Sequence, residues 1–152
     1  KIKLKTVQYY LLGIIDYYFN INSKSVLKIG TNNGYTQNEN LFENELFRIG
    51  GLKTLRGFDE ESIYASFYSI LTLEYRYIFE QNSYINIFYN GAFYEKKLID
   101  KYTKDTPYGF GAGISFETKA GIFSINYALG RQFSNPLLFR DAKIHFGITS
   151  LF

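Results

Sequence analysis

The sequence predicts an all-β chain: an antiparallel, up-and-down β-barrel whose strands cross a membrane. Three observations predict it. Apolar and polar residues alternate with a period of two over runs of about 10–13 residues, the mark of strands with one face in each of two environments. Such runs match the roughly 9–11 tilted residues that span a bilayer and exceed the five or six of an ordinary soluble strand. The aromatic residues, 15 Tyr and 15 Phe, gather toward the ends of these runs, as interfacial girdles do.

Taken in order, two strands at roughly 6–20 and 25–36 are the least regular, and the lysine-rich start is out of phase with Val7–Phe19, which predicts a bulge or break near residue 5. Residues 67–79 set Phe67, Leu71, Leu73, Tyr75, Tyr77 and Phe79 against Thr72, Glu74 and Arg76. Residues 84–95 set Ile85, Ile87, Tyr89 and Phe93 against Asn86, Phe88, Asn90 and Ala92. Residues 108–118 oppose Tyr108, Phe110, Ala112, Ile114 and Phe116 to Gly109, Gly111, Gly113, Ser115 and Glu117. In 121–131, Phe123, Ile125, Tyr127 and Leu129 oppose Ser124, Asn126, Ala128 and Gly130; the last run sets Ile144, Phe146, Ile148 and Phe152 against Lys143, His145, Gly147 and Thr149.

Tight turns are expected at 22–24, 80–83 and 118–121, and longer loops at about 37–64, 97–107 and 133–140. Short turns on one rim and long loops on the other are how a membrane barrel is arranged. The count is about seven strands, whereas single-chain bacterial barrels have an even number. The expectation is therefore that 1–152 is the C-terminal portion of a larger barrel domain, consistent with a start that has no signal-peptide pattern. An eighth strand inside 37–64, or a small complete barrel, stays open as an alternative.

Composition narrows the chemistry. With no Cys and one His, disulfides, zinc clusters, thiol catalysis and multi-His metal sites are excluded within this chain. A net charge of +3 is too small to argue for nucleic acid. No run of 18 apolar residues predicts a membrane helix. Alternation alone fits a soluble ligand-binding barrel or sandwich as well, with the apolar face inside. Gly, Ser, Asn, Glu and Arg on the polar faces suit a wet lumen better than lysine-rich solvent faces would. Gly109, Gly111 and Gly113 fall on one strand face with no helix behind them, so they are strand glycines rather than a phosphate loop. No G-x-S-x-G elbow is present. His145, without a second His or Cys, reads as a lumen-lining residue. Lys3 and Lys5, and Lys96, Lys97, Lys101 and Lys104, read as solvated loop residues, with contact to lipopolysaccharide phosphates at the outer rim as the minority reading.

Within the long loop stands Phe47-Arg48-Ile49-Gly50-Gly51-Leu52-Lys53-Thr54-Leu55-Arg56-Gly57-Phe58. It resembles the sixth-loop motif F-x-x-G-G … (V/L)-R-G-(F/Y) of the BamA/TamA superfamily of outer-membrane assembly and translocation barrels. Leu71-Thr72-Leu73-Glu74-Tyr75-Arg76-Tyr77, Gly109–Ile114 and Gly121–Ala128 resemble that family's following strands, and His145–Phe152 its ending, with Thr149 for the usual Gly. The likeness runs in order from about residue 42 to 152, and the ordered set is more specific than any one motif.

The resemblance implies the last seven strands of a sixteen-stranded barrel whose loop folds inward. It implies that Arg56, within Arg56-Gly57-Phe58, pairs with an acid at Glu74 and with a second group at Asn90, where the family has Asp. Gly50 and Gly51 would let the loop bend sharply. Phe146, Ile148 and Phe152 would carry the lateral seam or the C-terminal signal. The implied location is the outer membrane of Gram-negative bacteria. The implied partners are outer-membrane lipids, unfolded outer-membrane protein substrates and accessory subunits of an assembly complex, with no nucleic acid. No covalent reaction, metal or cofactor is expected. A divergent passive barrel, serving as anchor, pore or structural subunit, is the second expectation; Asn90 and Thr149 point toward it.

Overall fold

The computed structural model describes residues 7–38 and 41–150. Ten strands are described: β1 (Tyr9–Asn22), β2 (Ser25–Gln37), β3 (Phe47–Ile49), β4 (Ile63–Ala65), β5 (Phe67–Glu80), β6 (Ser83–Leu98), β7 (Lys101–Asp105), β8 (Tyr108–Thr118), β9 (Gly121–Arg131) and β10 (Lys143–Thr149). The fold is all-β and antiparallel, with up-and-down order β1-β2-β5-β6-β8-β9-β10 and β7 beside β6. This sheet is open: β1 and β10 stand at its two ends. Among the described residues no helix is long and apolar enough to cross a membrane.

Register follows from the tight turns. Asn22 Oδ1 accepts the Lys24 N–H at 2.9 Å, and Asn82 takes a positive φ of 52°, a conformation Asn tolerates at a hairpin tip. The turn at 80–83 pairs Glu74 with Phe88 and Thr72 with Asn90 across β5–β6, and Asn90 pairs with Gly109 across β6–β8. Since a slip of one residue would swap faces, these pairings put the polar sets on one side of the wall. On β5, Glu74 is 5% exposed while Leu73 and Tyr75 beside it are 38% and 37% exposed. The same division separates Ile85, Ile87 and Tyr89 from Asn86, Phe88 and Asn90, and Ile144, Phe146 and Ile148 from His145. The outward face is a continuous apolar surface of the kind lipid covers.

The seven long strands and the three tight turns lie where the sequence puts them, with ends moved by a few residues. One connection is corrected. The expected loop at 97–107 is instead a strand hairpin, in which Tyr94–Leu98 of β6 pairs with Lys101–Asp105 of β7. β7 and β8 continue in one register, interrupted at Pro107 because proline has no N–H to give, although its carbonyl accepts the Ala92 N–H at 2.8 Å. Lys96, Lys97, Lys101 and Lys104 accordingly stand on strands, and Lys96 pairs with Glu43. Among the described residues the long loop holds no further wall strand: β3 and β4 pair only with each other. The expected bulge near residue 5, together with Lys3 and Lys5, lies outside the described residues.

The buried apolar core lies inside the wall. Phe47, Ile49, Leu55, Phe58 and Ile63 of the loop region pack with Tyr68 and Ile70 of β5 and Tyr94 of β6. The Phe47 and Tyr68 rings meet edge to face at 5.3 Å. Each large side chain buried this way contributes about 1.5–3 kcal/mol, so the loop is held against the upper wall as a packed element. Ser66 fastens its return to the sheet: Thr36 N–H donates to its carbonyl at 2.8 Å, and its own N–H and hydroxyl both donate to the Glu95 carbonyl at 2.7 and 2.9 Å.

Candidate functional site, a loop clamped inside the wall

The loop turns back on itself before reaching the wall. Gly50 and Gly51 take positive φ angles of 119° and 91°. Thr54 closes the turn: its Oγ1 accepts the Gly50 N–H at 2.8 Å and donates to the Gly50 carbonyl at 2.9 Å, and the Gly51 N–H reaches the Leu55 carbonyl at 3.0 Å. Glu60 Oε1 accepts the Leu52 N–H at 2.8 Å from the returning limb. The turn ends by presenting Arg56 to β5 and β6.

Arg56 is 8% exposed, and three groups of the inner wall meet it. Its Nη1 donates to Glu74 Oε2 at 2.6 Å, its Nε donates to Asn90 Oδ1 at 2.9 Å, and its guanidinium carbon sits 3.5 Å from the centre of the Phe88 ring. The planar fork of arginine is what allows donation in two directions while one face stacks on an aromatic. The wall partners are themselves fixed. Glu74 Oε1 accepts Arg76 Nε at 2.6 Å, and Asn90 Nδ2 donates to Thr72 Oγ1 at 2.7 Å. Burial pulls the Arg56 guanidinium below its ordinary proton affinity, while the charge and hydrogen bond of Glu74 push it back up. An arginine starts so high that the group remains charged.

The next residue turns the other way. Gly57 has φ 99°, and a Cβ there would lie 2.7 Å from the Leu129 carbonyl oxygen, so only glycine lets the chain lie flat on β9. Its N–H donates to Nε2 of His145 on β10 at 3.1 Å. Gly109 on β8 leaves the room that Arg56 needs: a Cβ there would stand 1.9 Å from the Arg56 carbonyl oxygen. Beyond this point Asp59 pairs with Lys143 of β10 at 2.8 Å. One short turn thus touches β5, β6, β8, β9 and β10.

Below the clamp lies a polar cavity of about 190 Å³, lined among others by Lys28, Lys53, Arg76, Tyr84, Asn86 and Asn126. Lys28 is paired with Asp16 at 2.9 Å. The arrangement orders backbone and side chains through hydrogen bonding and charge pairing.

Of the residues singled out from sequence, Arg56, Glu74 and Asn90 come together, with Gly57 and Phe58 in the same turn and Gly50 and Gly51 at its neck. Phe146 and Ile148 lie apart from them on the outward face of β10, 72% and 67% exposed. Phe152 lies outside the described residues. Sequence reasoning missed His145, Arg76, Thr72 and Phe88 as members of the cluster. Strand parity already placed all four on the inner face; their pairing with the loop had no local signal.

No curated protein matches the chain at a significant level. The Omp85 superfamily domain matches it over residues 1–152, so the chain, with its antiparallel wall and inward loop, belongs to the Omp85 superfamily of outer-membrane β-barrels, a family of the insertion and translocation type.

Proposed function

We propose that this chain acts in the outer membrane of Gram-negative bacteria in the insertion or translocation of other outer-membrane proteins, through strand exchange at a lateral seam bordered by β10. The observation that supports this reading is the state of that strand. β10 pairs with β9 from Lys143 to Thr149, alternates outward apolar with inward polar residues, and is held from inside by the loop through the Gly57–His145 hydrogen bond and the Asp59–Lys143 pair. A strand at a barrel seam accepts an incoming extended segment by strand addition, with main-chain hydrogen bonds for affinity and alternate side chains for register. The outward Ile144, Phe146 and Ile148 give that segment an apolar face continuous with lipid. The loop braces β10 from inside while its edge is in use. The work is hydrogen-bond exchange, with no covalent step and no cofactor. The partners on this reading are unfolded outer-membrane proteins, the surrounding lipids and accessory subunits.

Depletion of the protein in its cell, followed by measurement of other outer-membrane barrels, tests the reading. Their loss is expected; unchanged levels remove it. A passive anchor or pore is the second reading, favoured by one observation: the second partner of Arg56 is an amide, Asn90, where two acids would hold the loop more tightly. Unchanged levels together with ion conductance in planar bilayers would favour it.

A further inference from the structure

We propose that His145 is a positioning residue that latches the loop to the edge strand β10 in its neutral form and releases it on protonation. The Gly57 N–H points at Nε2 from 3.1 Å, so Nε2 must offer a lone pair, and the imidazole hydrogen sits on Nδ1. His145 is 6% exposed, so the loop amide has little access to water as a substitute. A second proton on the ring would occupy Nε2 and set two N–H groups against each other, which turns an attraction into a repulsion.

The surroundings supply the alternative partner. Glu60 Oε1 on the returning limb lies 3.8 Å from Nδ1, within a small movement of a charge-assisted bond. The other charged groups that face the ring are Arg56 and Asp59 from the loop and Lys143 from β10 itself. Asp59 and Lys143 are paired with each other, and Arg56 is held by Glu74. Glu60, whose Oε1 also accepts the Leu52 N–H, is thus the facing carboxylate not paired with a lysine or arginine among the described residues, and a charged ring drawn toward it through Nδ1–H abandons Gly57.

Release at this point matters because of what stands on either side. Arg56 fixes the loop to β5 and β6, and the very next residue fixes it to β10. Leu52 packs over Gly147, where a Cβ would lie 2.4 Å from its Cδ2, so the loop covers the inner face of β10 at two levels. Losing the imidazole bond loosens the loop from β10 at Gly57, leaving the Asp59–Lys143 pair and the Leu52 contact as its remaining holds on that strand and the Arg56 clamp on β5 and β6 intact. The use of that freedom at the seam rests on the insertion reading above; the latch itself does not.

The test is residue-resolved amide exchange on the full-length protein in phospholipid vesicles, at about pH 8 and about pH 5, which bracket imidazole titration. Corrected for the intrinsic effect of pH, exchange of the Gly57 amide is expected to rise about tenfold on acidification, the weight of one hydrogen bond. His145→Gln, which accepts a hydrogen bond without titrating, is expected to give a flat profile. His145→Ala is expected to exchange rapidly at both pH values. A flat wild-type profile, which requires no variant to fold, overturns the latch, as does the same rise in His145→Gln. Insertion of a substrate barrel is measured in parallel. A latch that opens with no effect on insertion leaves the latch standing and removes its role at the seam.

Discussion

Arg56 donates its Nε hydrogen to Asn90 Oδ1 at 2.9 Å while its Nη1 holds Glu74 at 2.6 Å. One guanidinium therefore ties the loop to two adjacent strands through one charged and one neutral acceptor. The neutral acceptor is not idle. Its amide nitrogen donates to Thr72 Oγ1 at 2.7 Å, which fixes the flip of the Asn90 side chain and leaves its oxygen facing Arg56. An aspartate would add charge and reverse that bond, accepting the Thr72 hydroxyl hydrogen.

Asn90→Ala is expected to cost the loop attachment about 1–3 kcal/mol, because a buried guanidinium N–H and the Thr72 hydroxyl lose a partner together. Asn90→Asp is expected to hold the loop at least as firmly as the wild type, since a charge-assisted bond replaces a neutral one. Rates of trypsin cleavage at Lys53 in membrane-embedded protein measure both. Equal rates in all three proteins would show that Asn90 carries no share of the clamp.

Arg56→Ala leaves Glu74 with Arg76 as its remaining partner and removes the link to Asn90, so the strands are expected to stay paired while the loop detaches. Breaking a buried ion pair costs about 3–5 kcal/mol when one partner is left behind; Arg76 moderates that here. Arg56→Lys is expected to restore little, because an ammonium cannot reach both acceptors and cover the Phe88 ring. Far-ultraviolet circular dichroism unchanged, with protease access to residues 40–60 raised, is the expected pattern. Unchanged access would overturn the anchoring role.

The inner and outer faces were legible in the sequence because parity along a strand is a local property: Glu74 and Asn90 had to share a side once Leu73 and Tyr89 lay on the other. The hairpin of β6 and β7 was not, because Pro107 and four lysines imitate a loop. Beyond the aromatic belt both faces of a strand are wet, so the apolar alternation that marks the wall fades although backbone pairing continues. The bond from Gly57 to His145 spans 88 residues. No local pattern encodes such a pairing, and a solitary histidine on an inner face gave no hint of what it would meet.

The loop also carries a pH-dependent attachment at its start, where Glu43 meets Lys96 on the inward-facing set of β6. Glu43 is held below its ordinary carboxyl value of 4.5, first by the hydrogen bond from Lys96 and next by its charge. A carboxyl lowered on folding stabilises above its unfolded value, and that stabilisation is lost as pH falls through the lowered folded value. The contact between the 3₁₀ turn Glu43–Glu45 and β6 is therefore expected to persist at neutral pH and to weaken below about pH 4.5. Exchange of the Glu45 and Leu46 amides, followed down in pH, should show the change. Lys96→Gln should abolish it, and a dependence that survives in that variant would assign it elsewhere.

Glycine at 109 is expected to be as necessary to the clamp as Arg56 itself. The Arg56 carbonyl oxygen would lie 1.9 Å from a Cβ at Gly109, and a Cβ fixed by its own backbone meeting a backbone oxygen is an obstruction that no rotamer change relieves. Gly109→Ala must push the turn inward by more than an ångström, and that displacement stretches the bonds from Arg56 to Glu74 and Asn90 and from Gly57 to His145 together. Gly13 on β1 supplies the contrast, since nothing lies within 4 Å of a Cβ there. Gly13→Ala is expected to leave trypsin access at Lys53 unchanged, and Gly109→Ala to raise it nearly as far as Arg56→Ala does. If the two alanine variants behaved alike, the close approach of the turn to β8 would have no part in holding the loop.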